Sequence, residues 1–125
     1  MRAILDTHVL LWSFADPSRI GPQAAEAFRE RITKTWISAA SLWEISTKRA
    51  AGRLAAPDDF LNRVLRAGHE VLAISGEHAW LAGNLPPHHK DPFDRILVAQ
   101  AILEDVALVT HDQQLLAYDA RIIRA

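Results

Sequence analysis

Short apolar runs of strand length alternate with longer segments of helical spacing along the whole chain, and this alternation limits the fold more than any other feature. Ala3-Ile4-Leu5 begins a buried strand that stops at Asp6. Ile20-Gly21-Pro22 marks a turn, after which Ala24, Ala27, Phe28 and Ile32 recur at helical intervals. Thr35-Trp36-Ile37 is a second strand, and Ser38 offers an N-cap to a helix over 39–51 that Gly52 closes. Pro57-Asp58-Asp59 opens another helix with Phe60, Leu61, Val64 and Leu65 on one face. Glu70-Val71-Leu72-Ala73-Ile74 is the third strand. Ser75 caps the next helix, where Ala79, Ala82 and Gly83 are small enough for close packing and which Pro86-Pro87 ends. Asp91-Pro92 is the clearest helix start, a cap followed by proline at the first helical position, and Ile96, Leu97, Ala99, Ala101, Ile102 and Leu103 follow. Val106-Ala107-Leu108-Val109-Thr110 is continuous and apolar, as expected of a strand covered on both faces. A brief helix over 112–116 and a strand at Ile122-Ile123 complete the chain.

Such alternation implies an α/β fold with a mostly parallel sheet. Ligands of such sheets bind beyond the carboxyl ends of the strands. Asp6 follows the first strand directly, Glu44 lies in the first turns of the helix after the second, and Asp112 follows the fourth. Asp94 sits in the first turn of the helix that feeds the fourth strand, and because that helix runs antiparallel to the strand, its start lies at the same edge. The four acids therefore share one side of the sheet. Carboxylates that converge there form a pocket for a hard divalent cation.

Composition narrows the chemistry. The 125 residues suffice for a single domain spanning 1–125, with a core that needs no staples. A formal net charge of −1 gives no global pull toward polyanions, so any nucleic-acid binding must come from a local basic face. With no cysteine there is no disulfide, thiolate metal site or cysteine nucleophile. The apolar run after Met1-Arg2 is interrupted by Asp6 and is too brief for a signal core or a membrane span, so a soluble cytoplasmic protein is expected. No G-x-S-x-G elbow and no glycine-rich phosphate loop is present among the five glycines. Leu5-Asp6-Thr7 is similar to the opening of aspartate-nucleophile phosphatases, but His8 stands where their second Asp belongs.

Each acid has a plainer explanation. Ser41 and Glu44 could form a capping box, Asp94 could simply favour the positive end of its helix, and Asp112 could cap the last one. Asp6 resists such an explanation. It lies between an apolar strand and the largely apolar Thr7-His8-Val9-Leu10-Leu11-Trp12, where an uncompensated carboxylate is costly, and a metal ion is a natural compensation. His88, His89 and His111 lie near the acids and could bind a transition metal. His88 and His89 are adjacent, however, and no His-x-x-x-His pair exists, so substrate contact or a solvated loop is the better reading. His69 and His78 read as ordinary surface or core residues.

Four segments together carry a family likeness: Ile4-Leu5-Asp6-Thr7-His8, then Ser38-Ala39-Ala40-Ser41-Leu42-Trp43-Glu44-Ile45, then Asp91-Pro92-Phe93-Asp94-Arg95 with Ala99-Gln100-Ala101, and Val109-Thr110-His111-Asp112. In order, spacing and total length the chain resembles the PIN-domain ribonucleases, most closely the VapC-type toxins of type II toxin–antitoxin modules. The resemblance implies a three-layer α/β/α sandwich and Mg²⁺- or Mn²⁺-dependent cleavage of RNA by metal-activated water. It assigns metal binding to Asp6, Glu44 and Asp94, with Asp112 completing the acidic site and Thr7, Thr110 and Asp91 around it. Asp91 is set outside the core because it precedes Pro92 and caps a helix. The resemblance also implies a cognate antitoxin laid over the active-site groove, with a basic side chain presented to the acids, and a homodimer.

An RNA backbone would need positive partners. Lys48, Arg49, Lys90 and Arg95 are the candidates, with Arg53 and the nearby histidines beside them, although Arg95 serves equally well in a salt bridge near Asp91 or Asp94. Trp12, Trp36 and Trp43 could stack on bases, but their apolar positions favour core or interface packing. Trp12, Phe14, Leu42 and Trp43 could line the apolar side of an antitoxin groove. Two other readings stay open: a non-catalytic module whose acidic pocket binds a basic peptide, and a phosphohydrolase of small substrates.

Overall fold

Successive side chains of a strand leave on opposite faces, and the first strand, β1 (Arg2–Leu5), is buried on both. Ala3 and Leu5 enter one core cluster and Ile4 the other. The computed structural model describes residues 1–125. It pairs β1 with β2 (Lys34–Ser38) and β4 (Ala107–Thr110), then adds β3 (Glu70–Leu72) outside β2 and β5 (Ile122–Arg124) outside β4. Every pairing is parallel. Parallel neighbours need crossovers, which the helices supply. These are α1 (Thr7–Ala15), α2 (Pro22–Glu30), α3 (Ala39–Ala50), α4 (Phe60–Arg66), α5 (Gly76–Asn84) and α6 (Pro92–Glu104), with single 3₁₀ turns at Pro17–Arg19 and Gln113–Ala117.

The sheet separates two apolar clusters, which makes the three layers of an α/β/α sandwich. On one side Ala3, Leu5, Ile37, Ala107 and Val109 meet Val9 and Leu10 of α1, Ala24 and Ala27 of α2, Ile45 of α3 and Val64 of α4. On the other side Ile4 and Leu108 meet Leu97, Val98 and Ala101 of α6. Every residue of β4 is buried, the outcome expected of a strand covered twice. No helix is long and apolar enough to cross a membrane.

Several local expectations need correction. The apolar stretch after Asp6 is a helix, α1, with Asp6 as its N-cap: Asp6 Oδ1 accepts from Val9 N–H at 2.8 Å. The third strand stops at Leu72, because β2 offers it only the partners Trp36, Ile37 and Ser38. Of the three small residues of α5 only Ala82 packs closely, while Ala79 and Gly83 face solvent. In α4 Val64 is fully buried, but Leu61 and Leu65 remain about half exposed at 49% and 47%.

Candidate metal centre

Register places the acids before any side chain is considered. Leu5, the last residue of β1, pairs with Ile37 and Val109, so Asp6, Ser38 and Thr110 follow at one carboxyl edge. Asp6 is 3% exposed. Its Oδ1 caps α1, and its Oδ2 accepts from Thr110 Oγ1 at 2.5 Å and from His111 N–H at 3.3 Å. Thr110 Oγ1 in turn accepts from Asp112 N–H at 3.0 Å, so one hydroxyl ties two of the acids together. These bonds offset the burial of Asp6 in part, beside the metal ion that the sequence suggests as a natural compensation. Burial still pushes its pKa above the ordinary carboxylate value, against the lowering effect of Thr110, Val9, His8 and His111.

Glu44 lies on the inner face of α3 and is 4% exposed. It forms no capping box, since Ser38 caps α3 through Ala40 N–H. Thr7 Oγ1 donates to Glu44 Oε1 at 2.7 Å, and Lys48 Nζ donates to Oε2 at 2.6 Å from one helical turn away. Thr7 is buried beside Asp6 and so links the Asp6 and Glu44 sides of the site.

Asp94 occupies the first turn of α6, where Asp91 is the cap, accepting from Phe93 N–H at 2.8 Å and Asp94 N–H at 3.4 Å. Burial first, and then the neighbouring carboxylates Asp91, Asp6 and Glu44, push the Asp94 carboxyl up to about 7, with His89 opposing them. Asp112 both caps the last 3₁₀ turn, through Gln114 N–H at 2.9 Å, and reaches the site, where its Oδ2 lies 2.6 Å from His89 Nε2. The same His89 nitrogen stands 3.2 Å from Asp94 Oδ2. His89, Asp94 and Asp112 therefore bring their ligating atoms within 4.8 Å of one another. The sequence reading placed His89 in a solvated loop or against substrate. Nothing in local spacing could link it to Asp112, a contact 23 residues apart.

The basic candidates divide. Lys48 belongs to the site through Glu44, and Lys90 is exposed in the loop between His89 and Asp91. Arg49 turns away, donating to the Ala56 carbonyl and pairing with Asp58. Arg95 forms neither salt bridge considered for it. It donates to the carbonyls of Ala82, Leu85, Pro86 and His89 and to Tyr118 Oη, holding the 82–89 segment against α6. The guanidinium groups of Arg49 and Arg95 are thus both engaged by the chain itself. Trp12 is buried at 8% between His111 and Arg19, whereas Trp43 is 65% exposed and packs edge-on against Phe93 at 5.2 Å. The proposed antitoxin wall separates accordingly, Phe14 lining one shallow apolar groove with Leu11 and Phe60, and Leu42 another with Ile45 and Leu61.

The PIN domain family model matches residues 3–121. The chain belongs to the PIN-domain family. Its fold is shared with a chain of VapBC2 from Rickettsia felis, solved bound to a DNA fragment from the VapBC2 promoter, at a TM-score of 0.73 and 14% identity over 99% of this chain and 98% of that one. A chain of DNA-bound VapBC from Salmonella typhimurium gives 0.72 at 19% identity, again over 99% and 98%. VapBC-5 of Mycobacterium tuberculosis, described as a toxin–antitoxin system, gives 0.65 at 20% over the same shares. No curated protein matched the chain.

The site residues fit a divalent cation. Asp6, Glu44, Asp94 and Asp112 present hard oxygens, and the Asp94 carboxyl, raised to about 7 by burial first and then by the carboxylates Asp91, Asp6 and Glu44, is a group whose ionised form a cation would favour.

Proposed function

We propose that this PIN-domain protein is a metal-dependent endoribonuclease acting as the toxin of a toxin–antitoxin pair. The observation that carries the reading is the convergence of buried carboxylates at the carboxyl edge of the sheet, where Asp94 responds to Asp6, Glu44 and Asp91 at once. Asp6, Glu44, Asp94 and Asp112 would hold Mg²⁺ or Mn²⁺. A bound ion of that kind supplies an activated water near neutral pH and neutralises charge on the phosphate under attack. The protein's own contribution is orientation. Thr110 and the Val9 amide of α1 fix the two oxygens of Asp6, and Thr7 fixes one oxygen of Glu44. Lys48 sets a positive charge at the rim for a phosphate, and the exposed Lys90 offers a second. Trp43, exposed next to Glu44 and braced by Phe93, offers a stacking face for an unpaired base.

Partners follow from the same reading. The solved neighbours come from toxin–antitoxin complexes, and the apolar groove of Leu11, Phe14, Leu54, Pro57 and Phe60 offers an antitoxin segment a place to pack. A homodimer would cover Trp80, 79% exposed, with Leu103.

Substrate class is the decisive test. Purified protein with Mg²⁺ should cleave single-stranded RNA and leave a generic phosphomonoester untouched. Hydrolysis of the phosphomonoester without cleavage of RNA would favour the phosphohydrolase, and binding of a basic peptide without either activity the interaction module.

A further inference from the structure

His89 has no task in the reaction just outlined, yet its hydrogen bonds define it closely. Nδ1 accepts from Asp91 N–H at 3.0 Å. The lone pair of that nitrogen is therefore directed at an amide proton, and the ring proton belongs to Nε2. Nε2 is the atom that faces the acids, 2.6 Å from Asp112 Oδ2 and 3.2 Å from Asp94 Oδ2. A nitrogen that carries a proton has no lone pair to give a metal.

The main chain that carries the ring is itself anchored. The His89 N–H donates to Tyr118 Oη at 3.0 Å, and its carbonyl accepts from Arg95 Nη1 at 3.1 Å. Tyr118 Oη donates onward to the Pro86 carbonyl at 2.8 Å, and Arg95 grips the same carbonyl at 3.1 Å. Moving the proton to Nδ1 would set two N–H groups face to face, His89 against Asp91. The imidazole is thus held from the backbone in one tautomer, with 14% of its side chain exposed.

We propose that His89 is a positioning residue of the acidic centre and not a ligand: its Nε2–H gathers Asp112 toward Asp94 and leaves the metal to oxygen donors alone. The proposal rests on reading those acids as metal ligands. Partners of this kind, bonded to a ligand's second oxygen, typically change metal affinity 10- to 100-fold when removed.

The test combines ring spectroscopy with metal binding. Nitrogen NMR of the ¹⁵N-histidine-labelled protein should find His89 as the Nε2–H tautomer without metal and unchanged after Mg²⁺ is added. Mn²⁺ affinity, measured by electron paramagnetic resonance, should fall about 10- to 100-fold in His89→Ala. It should largely return in His89→Gln, whose amide N–H reaches the same position, with both variants checked for native melting. An Nδ1–H tautomer, a loss of the Nε2 proton on adding Mg²⁺, or equal affinity in wild type and His89→Ala would overturn the proposal. If the wild-type protein binds neither ion, the nuclease reading fails, and the tautomer of the metal-free protein still decides whether His89 holds Asp112 as described.

Discussion

Asp94 concentrates the electrostatics of this protein in one side chain. Folded, it holds its proton up to about 7, against an ordinary value of 3.8. The protonated form thus stabilises the folded state fully below about pH 4, and that stability is lost as the pH rises toward 7. Metal-free protein should accordingly melt at falling temperature across this window, by an amount on the order of 4 kcal/mol at most. Asp94→Asn should flatten the slope, apart from a contribution in the same direction from Asp6, whose pKa is also raised. A divalent cation needs the carboxylate, so Mg²⁺ should raise the melting temperature more at pH 8 than at pH 6. Equal stabilisation at both values would remove Asp94 from the ligand set. Thr110→Val tests the neighbouring hydroxyl. It strips the shortest contact from Asp6 Oδ2 and leaves Asp112 N–H without its acceptor, which should cost about 1–3 kcal/mol in denaturant unfolding.

Among the elements, α6 was legible and α1 was not. Asp91-Pro92 announces α6 by cap and proline, and the helix starts at Pro92 as its chemistry dictates. The segment after Asp6 carries an equally good cap, but its residues are nearly all apolar. With buried Val9, Leu10 and Trp12 packed below the sheet edge and no polar stripe opposite, periodicity gave no helical signal. The role of Arg95 was hidden for another reason, because its partners are backbone carbonyls, which no side-chain pattern encodes. Arg95→Ala should destabilise the protein by about 2–3 kcal/mol in thermal or denaturant melts. Arg95→Lys should not restore it, since an ammonium cannot reproduce the planar fork. The contact between the exposed Trp43 and the half-buried Phe93, which joins α3 to the start of α6, bears on substrate. Trp43→Ala should weaken RNA binding by roughly 1–3 kcal/mol, the usual worth of one stacked base, and leave the turnover of bound RNA nearly unchanged.

At the scale of the whole molecule, the parallel sheet follows from apolar runs buried on both faces, and the shared edge of the acids follows from the sheet. That much was legible because topology depends on pattern alone. What joins the acids there was not: Thr7 to Glu44, Thr110 to Asp6 and His89 to Asp112 span 37, 104 and 23 residues, and such contacts exist only once the chain is folded. With a net charge of −1, and with Lys48 at Glu44 and the exposed Lys90 as the two cations offered to the backbone, RNA binding should depend weakly on salt, with a log–log slope of about −1 to −2. The most direct measurement is cleavage of one single-stranded RNA by purified protein in three parallel reactions: wild type with Mg²⁺, wild type with chelator, and Asp6→Asn with Mg²⁺. Cleavage in the first alone is the predicted result. Cleavage that survives the chelator, or persists at full rate in Asp6→Asn, would contradict the assignment of the acids to a catalytic metal.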